Sequence, residues 1–201
     1  MSDVEKFVRF YDSEFGKRIL EKEAEYIYNE LEKCNKILDI GCGTGPFEQK
    51  LAELNITGLD ISEEMLTEAR KQSDKYFVLG NAEKLEFEDS SFDAVFYVTT
   101  LEFITNYKRA IQEARRVTRT NGKLLVIMLN PESQYFKEQR DFKDSYFRNV
   151  KHINVQEIKD YISEFYRVTK EECFLGITGE EIFETSDKKF ASLYAVVGIK
   201  D

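Results

Sequence analysis

The chain is poor in cysteine, in proline and in basic charge, and it has no long apolar run. Its three cysteines, Cys34, Cys42 and Cys173, lie too far apart for a Cys-x-x-Cys metal or redox motif, and no metal site is expected. An odd count also does not suit a disulfide scaffold, so a reducing cytoplasm is the predicted compartment. Lys and Arg number 29 against 38 Asp and Glu, a formal net charge of −9. A general phosphate-binding surface needs a basic stripe or patch, and nucleic acid is therefore disfavoured as a partner. No segment approaches the roughly 18 apolar residues of a membrane span. The stretch from Met1 to Lys6 lacks the basic region and apolar run of a secretory signal. Two prolines, Pro46 and Pro131, each follow the end of an apolar run.

What the chain has in quantity is aromatic bulk, with 16 Phe and 11 Tyr among 201 residues. That supply of large apolar side chains argues against disorder, and the length fits one domain. Leu20, Ala24, Ile27 and Leu31 recur on one face of a 3.6-residue period and predict an N-terminal helix. Short apolar runs then alternate with helical ones. Strands are expected at 36–40, 56–60, 76–79, 94–98 and 124–129. Helices should open near Pro46, where a missing N–H costs nothing, and after Ser62, an N-cap followed by Glu63 and Glu64. A third carries Ile104, Tyr107, Ile111 and Ala114. The pattern predicts an α/β fold: a doubly wound Rossmann-like sheet, mostly parallel, with helices on both faces.

After Pro131 the alternation lapses. Residues 131–151 are polar and aromatic without a clear period, which reads as a loop or lid. Asn154 to Glu157 reads as a capping box for a helix bearing Val155, Ile158, Ile162 and Phe165. Strands are expected at 166–174 and 191–199, and the polar segment 176–189 looks too long for a tight hairpin turn. The chain divides on this reading into a helical cap (1–33), a core that binds the cofactor (36–129), a lid and substrate region with strand six (130–190), and a last strand (191–200).

The most informative stretch is Leu38-Asp39-Ile40-Gly41-Cys42-Gly43-Thr44-Gly45-Pro46-Phe47. Three glycines between a strand and a helix allow positive φ and let a ligand press on bare backbone, in the crevice where open α/β sheets bind nucleotides. Asp60 ends the next strand, 19 positions after Gly41. An acid at that distance hydrogen-bonds adjacent ribose hydroxyls and repels a 2′-phosphate. Dinucleotides of the NAD type and S-adenosylmethionine both meet these constraints. The dinucleotide fingerprint G-x-G-x-x-G/A has Pro46 in its third position here, and the observed G-x-G-x-G turn favours S-adenosylmethionine.

In these residues the sequence resembles the class I S-adenosylmethionine-dependent methyltransferases, in their small-molecule, type 11-like form. Leu38 to Gly45 is similar to the family's first motif and Gly58-Leu59-Asp60-Ile61-Ser62 to its second. Gly80-Asn81-Ala82-Glu83-Lys84-Leu85 resembles the G-D-A-E-x-L segment that packs on adenine, with Asn81 in place of Asp. Ser91-Phe92-Asp93-Ala94-Val95, Leu101-Glu102-Phe103 and Arg116 to Leu124 match later segments, in register from about Lys36 to Leu129. The resemblance implies a cofactor site of Asp39, Gly41, Cys42, Gly43, Gly45, Asp60, Ile61, Met65, Asn81, Ala82, Glu83 and Val98. Asp39 would act near the cofactor's amino group or through a bridging water. It also implies a final antiparallel strand inserted between strands five and six.

No side chain is demanded by methyl transfer itself, because the cofactor carries the electrophile and the protein orients it. His152, the sole histidine, is a candidate base in the lid segment, although a surface position beside the Asn154 helix is the simpler reading. Tyr135, Phe136, Tyr146 and Phe147 are candidates for the wall of an acceptor pocket. Tyr11 and Arg18 are candidates to close over the cofactor. The Cys42 thiol is read as structural. The basic residues Lys108, Arg109, Arg115, Arg116 and Arg119 read as a solvated helix face. Val98-Thr99-Thr100-Leu101 stands where amino-methylating enzymes of nucleic-acid bases carry N-P-P-Y or D-P-P-Y, and there is no Pro-Cys pair. A small-molecule acceptor is expected, with a cofactor-binding scaffold and an NAD-dependent oxidoreductase as the alternatives.

Overall fold

A computed structural model describes residues 2–143 and 145–201. Two helices, α1 (Asp3–Asp12) and α2 (Glu14–Leu31), lead the chain. Ser13 parts them: its hydroxyl donates to Phe10 O at 2.6 Å and accepts from Gly16 N at 3.0 Å, ending one helix and capping the next. The alternating region follows as β1 (Ile37–Ile40), α3 (Pro46–Lys50), β2 (Ile56–Asp60), α4 (Glu63–Gln72), β3 (Tyr76–Leu79) and β4 (Phe92–Val98). After a 3-10 turn at Leu101–Phe103 come α5 (Tyr107–Val117) and β5 (Thr118–Leu129). The last part holds α6 (Gln134–Asp141), a 3-10 turn at Tyr146–Asn149, α7 (Val155–Ser163), β6 (Arg167–Thr178), β7 (Glu181–Phe183) and β8 (Ala191–Ile199).

Among the described residues, eight strands form one sheet in the order β3-β2-β1-β4-β5-β8-β6-β7. The first five run parallel, and β8 lies antiparallel between β5 and β6, as the resemblance implied. Strand periodicity divides the core in two. Phe92, Val95 and Tyr97 of β4 and Leu124, Val126 and Met128 of β5 pack beneath α5 and α7. Their neighbours Ala94, Phe96, Val98, Leu125, Ile127 and Leu129 pack on the opposite side beneath α2, α3 and α6. Strands covered on both faces have no need of polar alternation, which is why β4 and β5 read as unbroken apolar runs.

Several expectations need correction. The 131–151 segment is not an irregular loop, because α6 and the 3-10 turn at Tyr146 occupy much of it. Ser133 starts α6 by accepting from Phe136 N. Strand six runs on to Thr178 and turns back at Gly179 and Glu180 into β7, a tight hairpin in which Thr178 pairs with Glu181. Half of the expected capping box at Asn154 is present: its side chain accepts from Glu157 N, whereas the Glu157 carboxylate turns away to Tyr107 OH at 3.0 Å. The helix opened by Pro46 lasts only five residues, and Ile104 caps the preceding 3-10 turn instead of joining α5. Strand five begins at Thr118, with Asn121 at φ +60° kinking its entry. Among the described residues, no helix is long and apolar enough to cross a membrane.

Candidate cofactor cavity and adjoining acceptor cavity

The carboxyl ends of β1, β2, β3 and β4 open into a cavity of about 800 Å³. Gly41, Gly43 and Gly45 take φ of +84°, +55° and +73°, so the chain coils tightly from β1 into α3. Gly41 N and Cys42 N both donate to Leu59 O, which ties the turn to β2. A Cβ built on Gly43 meets nothing within 4 Å, so that backbone lies bare to the cavity. Gly45 faces the opposite way, against Ala69 and Phe77.

Asp60 joins the turn to the second strand. Its Oδ2 accepts from Gly43 N and its Oδ1 from Ser62 N, both at 2.9 Å. Burial raises this carboxyl above its ordinary value, opposed by those two N–H groups. Each oxygen keeps a second lone pair for a ligand hydroxyl. Ser62 caps α4 by accepting from Met65 N, as its sequence position predicted.

Of the twelve residues named from the sequence, Gly41, Cys42, Gly43, Asp60, Ile61, Met65, Asn81, Ala82, Glu83 and Val98 line this cavity. Ile61 is 72% exposed beside it, an apolar side chain with no protein cover. Asn81 Oδ1 accepts from Glu83 N, which leaves its amide nitrogen for a ligand. Glu83 in turn accepts from Asn106 N and anchors the start of α5. Burial pushes the Cys42 thiol well above its ordinary value, the opposite of an activated nucleophile.

Asp39 and Gly45 are not part of the lining. Asp39 is buried under the turn beside Glu48, an acid that sequence reasoning passed over. Burial, and then the Glu48 charge, raises Asp39, and burial likewise raises Glu48. Apart from each other, Asp39 Oδ2 and both Glu48 oxygens have no hydrogen-bond partner among the described residues. In sequence, Glu48 looks like an ordinary acid in the first turn of a helix; only the fold lays it over Gly58, whose Cβ would come within 2.7 Å of Glu48 Oε1.

From α1, Asp3, Val4, Phe7 and Tyr11 close over the cavity. Arg18 does not join them, since its guanidinium donates to Glu180 O at 2.6 Å. A second cavity, of about 480 Å³, adjoins the first and shares Phe7, Tyr11, Thr99, Phe103 and Tyr146 with it. Tyr135, Tyr146 and Phe147 line it as proposed from the sequence. Phe136 does not: it is a core residue packed against the Phe147 ring. His152 reaches neither cavity, with Nε2 2.9 Å from Ile104 O and its ring edge-on to Tyr107. Of the basic residues expected to be solvated, Arg116 is instead bound into the structure between Glu113, Asp89 and two carbonyls.

The second cavity has one further buried acid. Glu23, on α2, is 4% exposed and lines the cavity, and burial raises its carboxyl to about 8. The signal for it was present in the sequence. Glu23 stands four residues from both Ile19 and Ile27, an acid set in the apolar stripe of its helix.

The larger cavity suits a cationic adenosine ligand better than a dinucleotide. Among the described residues its lining carries the acids Asp3, Asp60, Glu64 and Glu83 against one basic residue, Lys151, a poor setting for a pyrophosphate. Comparison with known proteins agrees. Residues 38–126 match the model of a methyltransferase domain family. The chain is 31% identical over 169 residues to an uncharacterized protein of Methanocaldococcus jannaschii, covering 82% of this chain and 80% of that one. It is 34% identical over 125 residues to the demethylmenaquinone methyltransferase of Thermotoga maritima, covering 60% of this chain and about half (52%) of that enzyme. A solved methyltransferase of Thermotoga maritima, described as S-adenosylmethionine-dependent and a possible histamine N-methyltransferase, shares the fold. It superposes with a TM-score of 0.84 at 24% identity, over 99% of this chain and 96% of the other. A glycine turn between strand and helix, a carboxylate one strand later and a sequence relationship that extends well beyond them lead to one conclusion: the chain belongs to the class I S-adenosylmethionine-dependent methyltransferases, and S-adenosylmethionine is its cofactor.

Proposed function

We propose that the protein methylates a small-molecule acceptor held in the second cavity. The observation that carries this reading is the shared wall. Phe7, Tyr11, Thr99, Phe103 and Tyr146 border both spaces, so a ligand in one lies against a ligand in the other. A volume of about 480 Å³ suits a small molecule, and the walls are mostly apolar and aromatic. The acceptors named for the two methyltransferases above, a quinone precursor and histamine, are chemically unlike. Acceptor choice therefore belongs to the second cavity and not to the shared core.

When bound, S-adenosylmethionine supplies an electrophilic methyl group on a sulfonium sulfur. The residues of this chain have the remaining tasks. The bare backbone at Gly43 admits the ligand, Asp60 accepts from the ribose hydroxyls, and the Asn81 amide meets the adenine edge. Ile61, Met65, Ala82 and Val98 supply apolar contact, with Gly41, Gly45 and Cys42 shaping the turn. Asp39 and Glu48 place buried acid beneath a cationic ligand. The cap at residues 1–33 excludes water, and the 130–190 region contributes acceptor walls through Tyr135, Tyr146 and Phe147.

Calorimetry with S-adenosylmethionine, S-adenosylhomocysteine and NAD tests the cofactor half of this reading. The first two are expected to bind, and NAD binding without them would overturn it. A methyl-donor assay against a metabolite pool tests the other half, with S-adenosylhomocysteine formation above background expected. Cofactor binding with no turnover on any acceptor would instead assign a cofactor-binding scaffold.

A further inference from the structure

Glu23 is the charged feature of the second cavity's buried wall that a purely apolar acceptor leaves unexplained. It is a buried carboxyl with no hydrogen-bond or ion-pair partner among the described residues. It faces a space walled by the rings of Phe7, Tyr11, Phe15, Tyr135 and Tyr146. Lys6, the lysine of the lining, is held by Asp3 at 3.2 Å. Burying an unpaired carboxyl costs several kcal/mol, and an apolar residue at this point of α2 would pack Ile19 and Ile27 better. As a fold-stabilising residue Glu23 is a poor choice.

We propose that the acceptor is an amine on an apolar body, bound as its ammonium ion, and that Glu23 pairs with this cation and takes its proton. This deepens the methyltransferase reading and rests on it. Below about pH 8 the unliganded Glu23 is the neutral acid, so binding of the ammonium ion releases that proton to solvent and gives the carboxylate so formed the partner it lacks, while the surrounding aromatic rings attract the same charge. Pairing also prepares the nucleophile, because an ammonium nitrogen has no free lone pair. Transfer to a Glu23 carboxylate oxygen breaks one N–H bond, leaves its electrons on nitrogen and makes the carboxylic acid. The neutral amine then forms a bond to the sulfonium methyl carbon as the carbon–sulfur bond breaks, with that electron pair leaving on sulfur. The products are the methylated ammonium and a thioether. Burial narrows the gap in proton affinity from both sides, raising the carboxyl and lowering the ammonium.

The test is calorimetry on the full chain saturated with S-adenosylhomocysteine, using phenethylamine and its neutral counterpart phenethyl alcohol as probes. Phenethylamine is expected to bind at least about tenfold more tightly. Glu23→Gln should abolish that preference and leave S-adenosylhomocysteine affinity unchanged, and Glu23→Leu should melt at or above the wild-type temperature. Equal binding of the two probes, no binding of either, or a preference that survives Glu23→Gln would overturn the proposal. S-adenosylhomocysteine binding in the same titrations would show the cofactor reading intact. Loss of that binding in the wild type would place the failure with the cofactor reading instead.

Discussion

At the scale of single residues, Gly43 and Gly45 share a left-handed backbone but answer to different constraints. An alanine at Gly43 pays only the backbone strain, about 1–2 kcal/mol, while its methyl group enters the cofactor cavity. Gly43→Ala is therefore expected to melt slightly lower and to lose much of its affinity for S-adenosylmethionine. At Gly45 the added carbon would meet Ala69 Cβ and Phe77 Cζ, each at 3.0 Å. Gly45→Ala should add roughly 1–3 kcal/mol of overpacking to the strain, visible as a lower urea midpoint. Equal stability of the two variants would refute the opposed facing of these glycines. Asp60→Ala removes a charged hydrogen bond, and calorimetry should show S-adenosylmethionine binding weakened by roughly 1.5–3 kcal/mol. Unchanged affinity would end its assignment to the ribose. These residues were legible in the sequence because turn chemistry and spacing are local. Glu48 was not, since its neighbour Asp39 is nine positions away and meets it only after the turn has closed.

Among the elements, β2 and β3 match the strands read from the sequence to the residue, whereas β5 begins six residues earlier and β6 ends four later than read, and β7 was not read. A run buried on both faces, as at 94–98 in β4, leaves an unbroken apolar signature. The helix α6 left none. Eight residues form too few turns to show a period, and so short a helix depends on tertiary packing, here Phe136 in the core and Ser133 at the cap. Arg116 carries a related lesson. Its guanidinium donates to Leu85 O and Phe87 O and pairs with Glu113 and Asp89, stitching the segment after β3 to α5. A lysine offers one point charge in place of this fork. Arg116→Lys is expected to lower stability by about 1.5–3 kcal/mol, measured by urea denaturation, and an unchanged midpoint would reduce these contacts to surface decoration. The helix period placed Arg116 on the outer face, but what crosses that face is a segment some 30 positions earlier in the chain.

For the molecule as a whole, the buried acids make folding depend on pH in an unusual direction. Burial raises Glu23 to about 8 and Glu102 to about 7, from an ordinary 4.5, and raises Asp39 and Glu48 as well. The folded chain therefore holds more protons than the unfolded one between about pH 4.5 and 8. Stability should be greatest near the acidic end of that window, fall as pH rises through 7 and 8, and then level off. Each group contributes up to roughly 1.4 kcal/mol per pH unit. Glu113 and Glu172 are lowered, so their loss on acidification falls below the window. Thermal melts at pH 5.5 and 8 check this, and a higher melting temperature at pH 8 would contradict it.

The sequence by itself determined the parallel half of the sheet, the glycine turn and the carboxylate one strand later. Each is written within a short stretch, where hydrophobic period and backbone freedom act directly. The resemblance added the antiparallel last strand and the cofactor. Only the tertiary structure decided the second cavity. Phe7 and Tyr11 of α1, Glu23 of α2, Thr99 after β4, and Tyr135 and Tyr146 far along the chain meet there. A period says which face of a helix is apolar, but not what will lie against it. That is settled by how α1 and α2 pack on the sheet, and the same packing leaves Glu23 without a partner in the wall of the second cavity.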